Sequence, residues 1–148
     1  MKLILIFAAW LVFADVNDPW TAQEIVQPKA MAERLKAKEP AAIFYVGFPT
    51  LYRNGAHILG ANLAGPCSKP EGLESLKQAV AELPRDKEVF IYCGCCPFVK
   101  CPNIRPAYRA LREMGFRKVR VLMIETNLHS DWIEKGYPVE KSAEKAAQ

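Results

Sequence analysis

EVFIYCGCCPFVKCPNIRPAYRALREMGF, Glu88 to Phe116, joins an apolar run to an amphipathic one through a loop that holds four cysteines. EVFIYC, Glu88 to Cys93, is short and rich in β-branched and aromatic residues, which predicts a buried strand ending at Cys93. NIRPAYRALREMGF predicts a helix, with Asn103 as its N-cap and Ala107, Leu111 and Met114 on one face. Gly115 stands where a left-handed C-terminal cap is expected. Between them Cys93, Cys95, Cys96 and Cys101 fall within nine residues.

Working outward, the same alternation recurs. Downstream, KVRVLMI predicts a further strand, and NLHSDWIEKGYPV a final helix and turn. Upstream, KPEGLESLKQAVAELP places Leu73, Leu76, Val80 and Leu83 on one helical face. AAIFYVGF, Ala41 to Phe48, is a continuous apolar run and reads as a buried strand. The polar YRNGAH reads as a turn leading to a short strand in ILGANLAG. EIVQPKAMAERLKAKEP gives an apolar stretch and then a helix, with Pro28 in its first turn and Pro40 beyond its end. Strands alternating with helices of this length imply an α/β fold, three layers deep, with a central, mostly parallel sheet flanked by helices. In such sheets the working site lies at the carboxyl ends of the strands, where the cysteine loop is.

At 148 residues, 51% of them hydrophobic, the chain has the size and apolar content of one domain with a real core. A net charge of +4, with acids and bases interspersed, argues against a nucleic-acid surface and suits a small anionic substrate. Residues 1–14 read as a signal peptide: one Lys, an unbroken apolar run from Leu3 to Ala14, and small residues at its end. The run is shorter than the roughly 20 residues that cross a bilayer, so contact with a membrane is expected only during export. The expected location is therefore periplasmic or secreted, with residues 15–24 an N-terminal extension and 141–148 a flexible tail. In an oxidising compartment five cysteines cannot all pair within one chain, so at least one thiol is left over.

Cys93, fixed by the strand and facing a helix N-terminus, suits a nucleophile that carries charge without moving. Gly94 lets the backbone turn next to it, and Arg105 in the first helical turn adds positive charge. Other readings of the loop stay open. Cys93 and Cys96 form a Cys-x-x-Cys able to support dithiol exchange or metal ligation, and four thiolates would hold zinc or Cu(I). A Cys96–Cys101 disulfide is sterically feasible, and Cys67 is either a free thiol or reaches the loop across the strand ends. No cysteine has an Arg at Cys-x5-Arg spacing, which argues against phosphatase chemistry. His57 is expected to tie loops together, His129 to lie at the surface, and Trp132 and Tyr137 to make core contacts.

Three ordered stretches resemble the rhodanese family of sulfurtransferases. YRNGAHILGAN is similar to that family's "GHIPGA" segment, with His57, Gly60 and Ala61 in place. FIYCGC resembles the strand that ends in the family's catalytic cysteine, and RALREMGFRKVRVL with WIEKGYPV resembles its closing pattern. The resemblance implies a rhodanese-like domain over residues 25–140. It implies Cys93 as the residue that takes a sulfane sulfur from an anionic, thiosulfate-like donor, holds it as a persulfide and passes it to a thiol acceptor. Backbone N–H groups of residues 94–103, those of Gly94, Cys95, Cys96 and Asn103 among them, would cradle the persulfide. Arg53, Lys100 and Arg105 would form an electropositive rim, and no cofactor is implied. The sequence departs from the family in three places. About ten residues separate Cys93 from Asn103, where the family's loop is compact. Val46 and Gly47 stand where a "D-x-R" is usual, and Glu125-Thr126-Asn127 replaces a glycine pair.

Overall fold

Alternate residues of two central strands point to two different cores, and this sets the layers. In β2 (Ala42–Tyr45) Ile43 and Tyr45 face one cluster while Phe44 faces the other. In β5 (Glu88–Tyr92) Val89 and Ile91 share the side of Phe44, and Phe90 and Tyr92 the side of Ile43. A strand buried on both faces needs cover on both faces. One cover is α3 (Pro70–Ala79) and α4 (Ile104–Glu113), which bury Leu76, Ile104, Ala107 and Leu111. The other is α1 (Pro28–Lys36), through Met31 and Ala32, joined by Trp132 from near the carboxyl end. Each large side chain so buried contributes about 1.5–3 kcal/mol.

The computed structural model describes residues 18–142, so the expected signal peptide and most of the expected tail lie outside the described residues. With β1 (Ile25–Val26), β4 (Ala61–Leu63) and β6 (Lys118–Leu122), the strands form a five-stranded sheet in the order β1-β6-β5-β2-β4. Every pairing in it is parallel, so all five carboxyl ends open on one side. The α/β class with a mostly parallel sheet is as expected. Among the described residues no helix is long and apolar enough to cross a membrane.

Three local readings are corrected. YRNGAH is not a turn: Tyr52 to Asn54 belong to α2 (Pro49–Asn54), which starts on Pro49, and Ala56 and His57 belong to β3 (Ala56–Ile58). The strand expected in ILGANLAG is confined to β4, with Ile58 in β3. The final helix shrinks to one π-turn, His129–Ile133, because the Asp131 carboxylate accepts the N–H of Thr126 (2.6 Å) and of Asn127 (3.3 Å) and closes a tight loop there. The chain then forms β7 (Val139–Lys141), antiparallel to β3 in a separate two-stranded ribbon.

At the opposite end of the sheet, Glu88 is gripped by Arg34 (2.8 Å) and Arg120 (3.0 Å). Burial raises the Glu88 carboxyl pKa, but hydrogen bonds from the two guanidiniums outweigh it and hold the value below 4.5. The unfolded chain therefore binds more protons at this group. The clamp stabilises fully above pH 4.5 and fades as pH falls through the lower folded value. The urea midpoint should decline with acidification below that pH, and Glu88→Gln should flatten the decline. An unchanged slope in the variant would exclude the clamp as its source.

Candidate active site at the cysteine loop

β5 ends at Tyr92, so Cys93 is the first residue beyond the ladder rather than the last within it. Its backbone continues the buried strand, and its side chain is buried. Gly94 follows with φ +71°, which turns the chain sharply. A Cβ there would meet Leu128 at 3.0 Å, and the Leu128 N–H donates to the Gly94 carbonyl at 3.0 Å. Phe98, in a 3-10 turn (Phe98–Lys100), donates its N–H to the Glu125 carbonyl at 2.9 Å. The long loop is thus tied to residues 125–128, the segment where the glycine pair is missing.

Asn103 occupies the N-cap position of α4 but makes no side-chain cap. Its Oδ1 instead accepts the Ser68 N–H at 2.9 Å, which orients the fully buried amide. Its Nδ2 then faces sulfur, 3.6 Å from Cys93 Sγ and 3.9 Å from Cys95 Sγ. The Cys93 and Cys95 sulfurs are 3.0 Å apart, and Cys95 and Cys96 3.3 Å. The sulfurs of Cys93, Cys95 and Cys101 lie within 4.8 Å of one another. No disulfide links any of the five cysteines.

Three thiols this close cannot all ionise, and the surroundings choose between them. Cys101 receives hydrogen bonds from Cys93 and Cys95 and from the backbone N–H groups of Asn103 and Ile104, at the start of α4. Together these outweigh its burial and pull its pKa far below the ordinary thiol value of 9.0. Cys93 is pushed the other way, first by its hydrogen bond with Cys101, then by that with Cys95 and by burial. Cys95 is raised to about 12, chiefly by the hydrogen bond with Cys101, and Cys96 is raised by burial. The hydrogen bonds among the three thiols, helped by the N–H groups at the start of α4, therefore favour the anion at Cys101 over Cys93.

A cavity of about 300 Å³ opens over this group. Cys93, Gly94 and Cys95 line it, but Cys96 and Cys101 do not. Its other walls are Tyr45, Leu51 and Tyr52 from β2 and α2, Gly55 to His57, residues 127–129 and Ile133, and they carry no Lys or Arg. Tyr52 stacks on His57 at 3.7 Å, and His57 Nε2 lies 3.3 Å from Glu140, so His57 ties β3 to β7 while facing the cavity. The sequence reading missed these walls. Tyr45, at the carboxyl end of a parallel strand, was the one with a signal.

The remaining candidates are spread out. Lys100 is exposed and absent from the cavity wall. Arg105 turns away to Asp18 (Nη2 to Oδ1, 2.7 Å), lies over the Trp20 ring and donates to the Cys101 carbonyl at 3.3 Å. It is a brace of the loop. Arg53 lines a separate recess with Lys141 that shares Gly55 with the cavity. Cys67 sits apart from the sulfur group, fully buried, its thiol donating to the Ala64 carbonyl at 3.2 Å and raised to about 12 by burial. His129, Trp132 and Tyr137 also have clear places. His129 is exposed and paired with Glu134, and Trp132 is fully buried, edge-on to Tyr137.

No protein-family model matches the chain, and no curated protein matches it significantly. Solved structures do match. The rhodanese-like domain of an Anabaena sp. protein superposes with a TM-score of 0.61 at 21% identity, over 84% of this chain and 86% of that one. The polysulfide-sulfur transferase of Wolinella succinogenes gives a TM-score of 0.54 at 16% identity, over 84% and 82%. The thiosulfate sulfurtransferase of Pseudomonas aeruginosa gives 0.55 at 20%, over 79% of this chain and 20% of that one. With its parallel five-stranded sheet, its helices on both faces and these structural neighbours, the chain has the rhodanese-like fold.

Proposed function

We propose that the chain is a sulfurtransferase that carries a sulfane sulfur as a persulfide on Cys93. The observation that supports this most is the position of the Cys93 sulfur. It lies at the floor of a cavity, at the carboxyl end of a central parallel strand, with the Asn103 amide turned onto it. Cys93 first loses its thiol proton to solvent through the cavity, and the thiolate so formed attacks the outer sulfur of the donor. A sulfur–sulfur bond forms at Cys93, the donor's own bond to that sulfur breaks, and its electron pair leaves with the remainder (sulfite, if the donor is thiosulfate). An acceptor thiolate then takes the outer sulfur and returns Cys93 as thiolate. The persulfide anion would meet the Asn103 Nδ2–H and the start of α4. Because no Lys or Arg among the described residues lines the cavity, these dipoles would have to accommodate the charge of an anionic donor. Export belongs to the same proposal, on the sequence pattern of residues 1–14 alone.

Intact-protein mass spectrometry after exposure to thiosulfate or polysulfide tests the reading. A gain of about 32 Da that maps to Cys93 and disappears with reductant is the expected result, persulfidation being reversible. A protein that gains no sulfur from either donor would refute it.

A further inference from the structure

Sulfur transfer through Cys93 leaves Cys101 without a direct part. Cys101 is buried and does not line the cavity, yet its sulfur completes a triangle with Cys93 and Cys95. Among the described residues no other group of His, Cys, Asp or Glu side chains is arranged to hold a metal ion. We propose that Cys93, Cys95 and Cys101 form a three-coordinate thiolate site for a soft, low-valent cation of the Cu(I) type.

The donor set selects the ion. All three ligand atoms are sulfur, with no imidazole or carboxylate in the group, which excludes hard oxygen-seeking cations. A structural zinc site closes with four ligands. Among the cysteines outside the triangle, Cys96 comes nearest to a fourth, touching Cys95 at 3.3 Å, while Cys67 sits apart. Three thiolates in one plane satisfy a d¹⁰ monovalent ion. A metal–sulfur bond of about 2.3 Å puts the corners of such a triangle about 4 Å apart. The three sulfurs bracket that spacing, from 3.0 Å for Cys93–Cys95 to an upper limit of 4.8 Å, so loading needs shifts of an ångström or less.

The surroundings fit the same use. The three ligands hang from separate supports: a strand end, a turn tied to Leu128, and the entry to α4. The Asn103 amide, held by Ser68, faces two of them and orients thiolates as outer hydrogen-bond donors do. Entry is through the cavity, where Cys93 and Cys95 are reached first. This inference does not rest on the transfer reading. A bound ion would occupy the Cys93 sulfur and stop transfer, whereas a protein that binds no ion can still form a persulfide.

The test is an anaerobic titration of the reduced protein with Cu(I) against a chromophoric Cu(I) chelator. One Cu(I) per chain is expected. Affinity should fall by more than about 100-fold in each of Cys93→Ser, Cys95→Ser and Cys101→Ser, beyond the ~10–100-fold cost of losing an outer partner. Cys67→Ser should bind as the parent does. Circular dichroism checks that each variant folds. X-ray absorption of the unmodified protein needs no variant, and should show three sulfur neighbours and no nitrogen or oxygen. Failure to hold Cu(I) against the chelator would overturn the proposal. So would binding indifferent to Cys101→Ser, or a site with two sulfurs. Persulfide formation, measured separately, is untouched by any of these failures.

Discussion

Cys93→Ala should abolish sulfur transfer, with kcat/KM falling by at least about 10³-fold, the scale on which loss of a covalent nucleophile is felt. Cys101→Ala should keep much of the activity. Cys101 does not line the cavity, so a donor there meets Cys93 and Cys95 first. Its removal also takes away the hydrogen bond that does most to hold Cys93 in its neutral form. The two variants therefore separate transfer from metal binding, since both sulfurs are needed to hold an ion. Equal losses of transfer in both would argue that the three sulfurs act as one unit, and against Cys93 as the carrier.

Gly47→Ala should also be damaging, although Gly47 has no side chain to contribute. A Cβ at Gly47 would lie 2.8 Å from Cys93 Sγ and 2.6 Å from the Tyr45 hydroxyl oxygen. Tyr45 has little room to yield. It is 2% exposed, its ring packs against Tyr52 and Tyr92, and its hydroxyl donates to the Phe48 carbonyl. The sulfur is the softer neighbour and would be displaced. A misplacement of about 1 Å near reacting atoms costs roughly 100-fold in rate. Overpacking should lower stability by about 1–3 kcal/mol. Gly60→Ala is the control. Its φ is +76° with nothing near the added atom, so backbone strain of about 1–2 kcal/mol should leave kcat/KM unchanged. Wild-type kcat/KM in Gly47→Ala would show that the close approach does not position the sulfur.

The elements that bury an apolar face were legible because burial leaves a period. β2 and β5 show as apolar runs, β6 as an alternating one, and α1, α3 and α4 as stripes, so the sheet and its cover could be read before any coordinates. α2 was missed because six residues are too few for a stripe, and its Tyr52 is ordered by Tyr45 and His57 rather than by helical neighbours. β7 was missed because its three residues bury no face, and their order comes from pairing with β3.

Within the site, the place of Cys93 follows from strand and helix order alone. The grouping of the sulfurs does not. Spacing left Cys93 with Cys96, Cys96 with Cys101 and all four together open, and the left-handed Gly94 and the 3-10 turn bring Cys101 back to Cys93 and Cys95. Asn103 carried the sequence signal of a cap. Only the contact with Ser68, thirty-five residues away, turns its amide to sulfur.

The brace on the loop bears on how portable it is. Arg105 reaches Asp18 across 87 residues of sequence, and Trp20 packs against Phe98 and Tyr108 from the same segment. Residues 93 to 103 are therefore no self-contained cassette. Grafted onto a relative of the same architecture without the Asp18–Trp20 stretch, the loop would lose the outer support on which its carbonyls and Phe98 are anchored. A transplant must carry that stretch along with Ser68 and residues 125–128, which also hold the loop, to keep the sulfur spacing.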